Sequence, residues 1–555
     1  EATLYEESGL LVRLPDWWRK RTRPQVGLEI GKKRKGLLTA DTMLDFQVQV
    51  ALGDETLSES QWRQLLAGDE GLVLFKGRWV EVDRDKLNQA LDHWRQVEQA
   101  ARAGEVSFIE GMRLLAGAPA DLSDDAAGNE ALEWSFVRPG KWLAETLQQL
   151  RQPQSSGMAA GLPQLRASLR PYQQTGLDWL WTMSQLRLGA CLADDMGLGK
   201  TIQVLALLLK LKQARGKAQP SLLVVPASLL ANWKSEMARF TPSLTAVFAH
   251  ASESSKERLA ALASEPEKSL RGVDLVVTTY GMLQRQAWLS EIEWRLVVLD
   301  EAQAIKNPST RQTRAVKRMR SQSRVALTGT PVENRLADLW SLFDFLSPGL
   351  LGSADKFKRF VKQLESREHD RYLPLRNLVQ PYILRRMKTD KTIIADLPDK
   401  SEVKAYCGLT KRQTALYQKS VEELAATIDQ QEGIERRGAV LAFLMRFKQI
   451  CNHPSQFLGD GEYGAADSGK FNRLVEICEE IASRQEKVLV FTQFREMTEP
   501  LQALLAGVFR RPGLVLHGGT AVGKRKKLVE SFQREQGPPF FVLSLKAGGT
   551  GLNLT

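Results

Sequence analysis

Cysteine is scarce in this chain: Cys191, Cys407, Cys451 and Cys478 are the only four in 555 residues. They form no CxxC pair and no zinc-type spacing, which excludes a disulfide scaffold and a zinc ribbon. Free thiols in a reducing cytoplasm are the expectation. Cys451 and His453 are close, but a zinc site takes about four ligands, and histidine totals only five. Long apolar runs are also missing. Nothing approaches the ~20 residues of a membrane span, and the stretch Leu205 to Leu211 contains Lys210, so it reads as a core helix. No signal peptide is visible and no repeat of about 20–50 residues. A membrane protein and a solenoid are thereby excluded, and no membrane partner is expected. The chain starts at Glu1, not Met, which points to a piece of something longer.

An acidic excess is absent as well. Lys and Arg number 77 against 65 Asp and Glu, a net charge of +12. Such a balance favours a polyanionic partner, nucleic acid first. The hydrophobic fraction of 43% is that of an ordinary globular protein.

Residues 1–118 form a distinct region holding Trp17, Trp18, Trp62, Trp79 and Trp94. Gly71 to Val82 reads as two short strands around Lys76-Gly77, and 86–102 as an amphipathic helix. Residues 119–165 are rich in Ala, Gly, Ser, Asp, Pro and Gln and read as a linker, best at Pro153–Gly161. From 166 to 346 short apolar runs alternate with helical segments: Cys191–Ala193, Leu222–Val225, Asp274–Val277, Leu296–Leu299 and Val325–Leu327. That rhythm predicts a parallel sheet covered by helices. Residues 347–468 are charged and helical in pattern. Strand-like runs return at Lys487–Thr492, Leu514–Leu516 and Phe540–Ser544, predicting a second α/β domain over 469–555. Three strands are few for such a sheet, so this domain is expected to be incomplete. The predicted class is α/β: two parallel-sheet lobes, helical insertions between them, and an N-terminal α+β accessory domain.

Asp194-Asp-Met-Gly-Leu-Gly-Lys-Thr201 lies between a strand and a helix, the setting a phosphate loop requires. Asp195, Met196, Gly197, Leu198 and Gly199 supply the turn, whose backbone N–H groups face phosphate oxygens. Lys200 would neutralise the β and γ phosphates, and the Thr201 hydroxyl would hold Mg²⁺. The helix N-terminus adds its positive end. The strict pattern has Gly where this chain has Asp194, so a chance glycine turn is the other reading. Leu299-Asp-Glu-Ala-Gln303 ends a second apolar strand. Carboxyl ends of parallel strands line the ligand crevice. Asp300 can then serve Mg²⁺ and Glu301 can polarise an attacking water. An acidic cap on the following helix is the alternative, and the ordered pair of motifs argues against it.

With these motifs the chain resembles the Snf2 branch of helicase superfamily 2 over about 166–555. Leu169-Arg-Pro-Tyr-Gln173 looks like its adenine-side motif, with Gln173 as base reader. Leu192 to Thr201 is nearly the family's form, Asp194 included. Val225-Pro-Ala-Ser228 with Asn232-Trp233, and Thr278-Thr-Tyr280, resemble its first-lobe DNA-tracking motifs. Asp300 to Gln303, followed by Lys306-Asn307, resembles its second box, where Gln303 replaces a frequent His. Leu327 to Asn334 looks like its coupling motif. Pro381–Arg386, Leu397–Lys400 and Gln449–Pro454 resemble its helical insertions, which gives Cys451 and His453 a structural reading. Val490–Phe494, His517–Thr520 and Ala547–Thr555 resemble its later motifs. The resemblance implies two RecA-like lobes, ATP and Mg²⁺ as cofactors, and ATP-driven translocation on double-stranded DNA. It places Lys200, Asp300, Glu301 and Gln303 in catalysis, with Gly551 also at the nucleotide. Pro226, Ser228, Asn232, Thr279, Tyr280, Lys306, Asn307, Thr520 and Lys546 are implied on the DNA. The family's last motif, an arginine supplier, is expected beyond Thr555, and without it hydrolysis should be weak.

Arg311, Arg314 and Arg318 share one helix face and can meet phosphates, or form a solvated face. Lys524–Lys527 invites the same two readings. Arg19–Lys35 adds basic charge near Trp17 and Trp18, which either stack bases or anchor a core. Residues 10–118 resemble a domain upstream of bacterial Snf2 motors, some of them in Zorya-type anti-phage systems. That context implies defence-system or chromosomal proteins as partners. Rival activities are a strand-separating helicase, a DNA-bound scaffold with an idle ATPase, and a motor coupled to DNA degradation.

Overall fold

The computed structural model describes residues 23–32, 42, 44–53, 55–67, 71–76, 78–103, 106–117, 134–153, 162–214, 219–329, 336–365, 371–391, 402–430 and 433–548. Two compact units emerge: residues 1–226 with 233–397, and 227–232 with 398–555.

The first unit opens with a small mixed sheet of order β3-β2-β1-β6. Strands β1 (Pro24–Ile30), β2 (Phe46–Leu52) and β3 (Glu55–Thr56) are antiparallel neighbours. Strands β4 (Gly71–Phe75) and β5 (Arg78–Val82) form the expected hairpin, with Lys76 in the left-handed region at φ 49°. The helix Arg84–Arg102 starts on Asp83, whose carboxylate accepts from Lys86 N at 3.0 Å. Its buried residues Leu87, Ala90, Trp94, Val97 and Ala101 recur at helical spacing and face β1 and β2. Trp62 and Trp94 are core residues. Trp17, Trp18 and the proposed linker core 154–161 lie outside the described residues.

The linker expectation for 119–165 needs correction. Strand β6 (Ser135–Pro139) pairs parallel with β1, and the helix Lys141–Arg151 buries Leu143, Leu147 and Leu150. The strand's partner lies more than one hundred residues earlier, in a register of Val26 with Ser135, and its own sequence ends in proline. Local composition therefore hid it.

The large sheet of the first unit is all parallel: β7 (Ala190–Leu192), β8 (Ser221–Val225), β9 (Ala246–Phe248), β10 (Leu275–Thr279), β11 (Glu293–Leu299), β12 (Arg320–Leu327) and β13 (Ile383–Leu384). Its order is β13-β7-β12-β11-β8-β10-β9. β8 and β10 are buried at every position, as strands covered on both faces must be. The predicted α/β class with parallel sheets is the one observed. Two strands went unpredicted: β9 has three residues and β13 two, too short for an apolar signal. β13 also carries this sheet past the expected domain limit at 346, because Ile383 and Leu384 pair with Cys191 and Leu192.

In the second unit the helices Lys411–Gln430 and Gly433–Asn452 pack on each other, with Tyr417 and Phe447 rings 4.6 Å apart. Strands β14 (Val488–Thr492), β15 (Leu514–Leu516) and β16 (Phe540–Ser544) form a parallel sheet of order β14-β16-β15. The helical stretch after 397 thus clusters with this sheet. His453 is fully buried. Its Nδ1 accepts from Ser455 N at 3.1 Å and its Nε2 bonds Gly464 O at 2.9 Å, a structural role. No group of three or more metal-binding side chains exists among the described residues. No described helix is long and apolar enough to cross a membrane.

Candidate nucleotide site

Strand β7 delivers the chain into the glycine turn. Gly197 and Gly199 have φ of +82° and +74°, the left-handed region that L side chains avoid. A Cβ at Gly199 would also stand 2.4 Å from Gln173 Nε2. Gln173 braces this turn: its Nε2 donates to Leu198 O at 3.2 Å and its Oε1 accepts from Arg170 N at 2.9 Å. Tyr172 Oη donates to the same Leu198 oxygen at 3.1 Å. The expected base reader therefore has both ends of its amide engaged behind the loop. Leu198 is buried and Met196 exposed.

The residue that breaks the strict pattern is the loop's anchor. Asp194 has no exposed surface. Arg386 grips it from β13's end, Nε to Oδ1 at 2.8 Å and Nη2 to Oδ2 at 2.5 Å, a bidentate fork. Arg386 also donates to Gln203 Oε1 at 2.8 Å and to the Tyr172 carbonyl. Gly176 leaves the space for this cluster, since a Cβ there would sit 1.9 Å from Gln203 Oε1. Lys388 N donates to Asp195 Oδ2 at 2.9 Å, tying the same segment to the loop a second time.

Lys200 opens the helix Lys200–Gln213. Its Nζ donates to Asp194 O at 2.7 Å and Asp195 O at 3.3 Å. Burial lowers its pKa, and the charges of Glu301, Asp194, Asp300 and Asp195 oppose that in this order. The lysine thus stands in the field of the acid pair. Thr201 is half-buried beside it.

Strand β11 delivers the acids. Asp300 is 8% exposed. Trp233 Nε1 donates to its Oδ2 at 2.7 Å and Glu301 N to its Oδ1 at 2.9 Å. Burial raises the carboxyl to about 6; the Trp233 hydrogen bond pulls it down and the Glu301 charge pushes it up. Glu301 adopts a left-handed backbone at φ 50°. Gln303 Nε2 donates to Glu301 Oε2 at 2.5 Å, and Thr328 Oγ1 donates to Gln303 Oε1 at 3.2 Å. Strand β12 lies between β7 and β11, and Thr328 follows it. Three neighbouring strand ends therefore contribute to one crevice.

The residues expected on DNA divide. Pro226 and Ser228 follow β8, and Asn232 lies on the helix Leu230–Phe240; all three are half-buried. Thr279 and Tyr280 are buried. Tyr280 Oη donates to Asp300 O at 2.7 Å, so this side chain forms the wall behind the acid, not a surface. Lys306 is half-buried. Asn307 shapes its own loop, its Oδ1 accepting from Ser309 N at 3.0 Å and Ser309 Oγ at 2.7 Å. Arg311, Arg314 and Arg318 are exposed. In the second unit, Thr520 Oγ1 accepts from His517 N at 3.2 Å, and Lys546 is exposed on Leu545–Gly548. Gly551 lies outside the described residues, as do residues 330–334 of the coupling motif. Arg386 and Gln203 were missed as site residues. Arg386 carried only its place in a basic pair after two apolar residues, and nothing local to it names Asp194.

A glycine turn with its lysine, and an acid pair two strands away on one parallel sheet, is the arrangement of phosphate-loop α/β proteins. Comparison with known proteins narrows this. A SNF2-related domain matches residues 172–456, a helicase conserved C-terminal domain 469–555, and a family described as SNF2 helicase protein 1–116. YwqA of Bacillus subtilis, provisionally named an ATP-dependent helicase/translocase, is 34% identical over 560 residues, 99% of this chain and 60% of the relative. Zorya protein ZorD of Escherichia coli is 35% identical over 418 residues, 70% of this chain and 38% of the relative. The chain thus spans less than two thirds of these relatives' length. The Sulfolobus solfataricus SWI2/SNF2 ATPase core in complex with dsDNA is 40% identical, covering 69% of this chain and 79% of that one, with a TM-score of 0.40. The chain belongs to the Snf2 family.

Proposed function

We propose that this chain binds ATP at the Lys200 loop and is the motor of a DNA-dependent ATPase that translocates on double-stranded DNA. One observation carries the reading: Lys200 lies in the field of Asp300 and Glu301 at neighbouring strand ends of one sheet. Its ammonium rests on two loop carbonyls and can exchange them for phosphate oxygens. The Glu301 carboxylate, steered by Gln303, is suited to accept a hydrogen bond from the water that attacks the γ phosphate. Thr201 and Asp300 offer the hard oxygen donors that Mg²⁺ takes. They would hold the ion, which when bound neutralises phosphate charge. The net charge of +12 and the exposed row of Arg311, Arg314 and Arg318 support a duplex held through its phosphates. Such contact is tolerant of sequence and sensitive to salt. The likeness to ZorD supports a place beside further defence-system proteins, which co-purification with the products of neighbouring genes would test.

Lys200→Ala is expected to abolish ATP-driven displacement of a triplex-forming strand while leaving duplex affinity within about threefold, since DNA contact is a separate electrostatic matter. Normal movement by that variant would remove the loop from the mechanism. Displacement of one strand of the duplex by the parent protein would instead identify a strand-separating helicase.

A further inference from the structure

Two chain segments singled out in the sequence as DNA-tracking motifs each end in a buried aromatic residue, and both donate to the same amino acid. Pro226–Asn232 leads directly into Trp233, whose Nε1 donates to Asp300 Oδ2 at 2.7 Å. Thr278-Thr279 leads into Tyr280, whose Oη donates to Asp300 O at 2.7 Å. Trp233 is 1% exposed, Tyr280 5% and Asp300 8%, so neither donor exchanges freely with water. Trp233 sits one turn inside the helix Leu230–Phe240, anchored with Leu230 and Met237, which are also buried. Tyr280 follows β10, paired to β8 along five residues. A shift of either segment must move an indole or a phenol that the aspartate leans on, because packed interiors transmit displacement.

We propose that Trp233 and Tyr280 are positioning residues that couple DNA contact at 226–232 and 278–279 to the orientation of Asp300, and so to the affinity of the nucleotide site for Mg²⁺. The inference rests on the proposed function. The Trp233 bond fixes which carboxylate oxygen is free: Oδ2 is occupied by the indole and Oδ1 by Glu301 N, each with one further lone-pair direction. The Tyr280 bond fixes the backbone from which that carboxylate hangs. Together they make the acid's rotamer a property of the two segments.

The test is a Mg²⁺ titration of ADP binding by calorimetry, with and without a duplex oligonucleotide, for the parent chain, Trp233→Phe, Trp233→His and Tyr280→Phe. In the parent, duplex is expected to lower the Mg²⁺ concentration at half-effect. Trp233→Phe should raise that midpoint about tenfold, the usual scale for a lost hydrogen bond to a charged group, and abolish the duplex-induced shift. Its Mg²⁺-free ADP affinity should stay within about twofold, which a merely structural lesion would not spare. Trp233→His, which restores a ring N–H, should recover the shift in part. Tyr280→Phe removes a single oxygen and should also abolish the shift; it decides the matter if the Trp233 variants fail to fold. A parent chain that binds ADP with Mg²⁺ but shows no duplex-induced shift, or a Tyr280→Phe chain that keeps it, overturns the coupling alone. A parent chain that binds no ADP under any condition overturns the proposed function as well.

Discussion

The two units treat charge in opposite ways. In the first, charge is buried and interlocked: Asp194 with Arg386, 0% and 7% exposed at their side chains, and Asp300 under Trp233. In the second, it lies on the surface. Arg412 bridges Asp460 at 3.1 Å and Asp467 at 3.3 Å, Arg446 reaches Glu423 at 3.3 Å, and their side chains are 30–45% exposed. The buried ring of His453 is held by a backbone amide and a carbonyl, not by a charge. A buried charge demands its partner; an exposed one is compensated by water. The first unit's sheet is therefore built around its polar cluster, while the second's is an apolar assembly with polar trim.

Arg386→Met should break that contrast most severely. It strips the fully buried Asp194 of its fork and is expected to cost about 3–5 kcal/mol. Hydrogen exchange should show the helix Lys200–Gln213 losing protection, with nucleotide affinity falling in parallel. A loss below ~1 kcal/mol would place this pair with surface ion pairs. Arg412→Ala should cost at most about 1 kcal/mol in urea unfolding, because both its acceptors are solvated; a larger loss would show that the second unit also depends on charge. The smallest effect belongs to metal. A strong zinc chelator should leave the unfolding of the His453 region unchanged, since both ring nitrogens already have protein partners. A fall in its stability would reveal a ligand set.

What could be read in advance follows from range. The glycine turn, its lysine and the acid pair are short motifs at strand ends, and the five longer strands announce themselves as apolar runs. The hairpin around Lys76 and the helix after Asp83 are equally local. The partners are not. Trp233 to Asp300 spans 67 residues, β1 and β6 share an edge across more than one hundred, and β13 is two residues long. Tyr280 shows the limit most clearly. Its motif pointed to the DNA side, yet burial beneath Asp300 depends on how β10 and β11 flank β8, which no local window contains.

The Asp194–Arg386 fork joins positions 192 residues apart. A chain emerging from the ribosome presents its glycine turn long before the arginine that seats it, and domains settle as their segments become available. Until β13 has been made and docked, the carboxylate has no cation and the turn no clasp. Competence to hold a nucleotide is thus deferred to the end of the first unit's synthesis, and a nascent chain stalled before residue 386 should be a folded sheet with an unfinished loop.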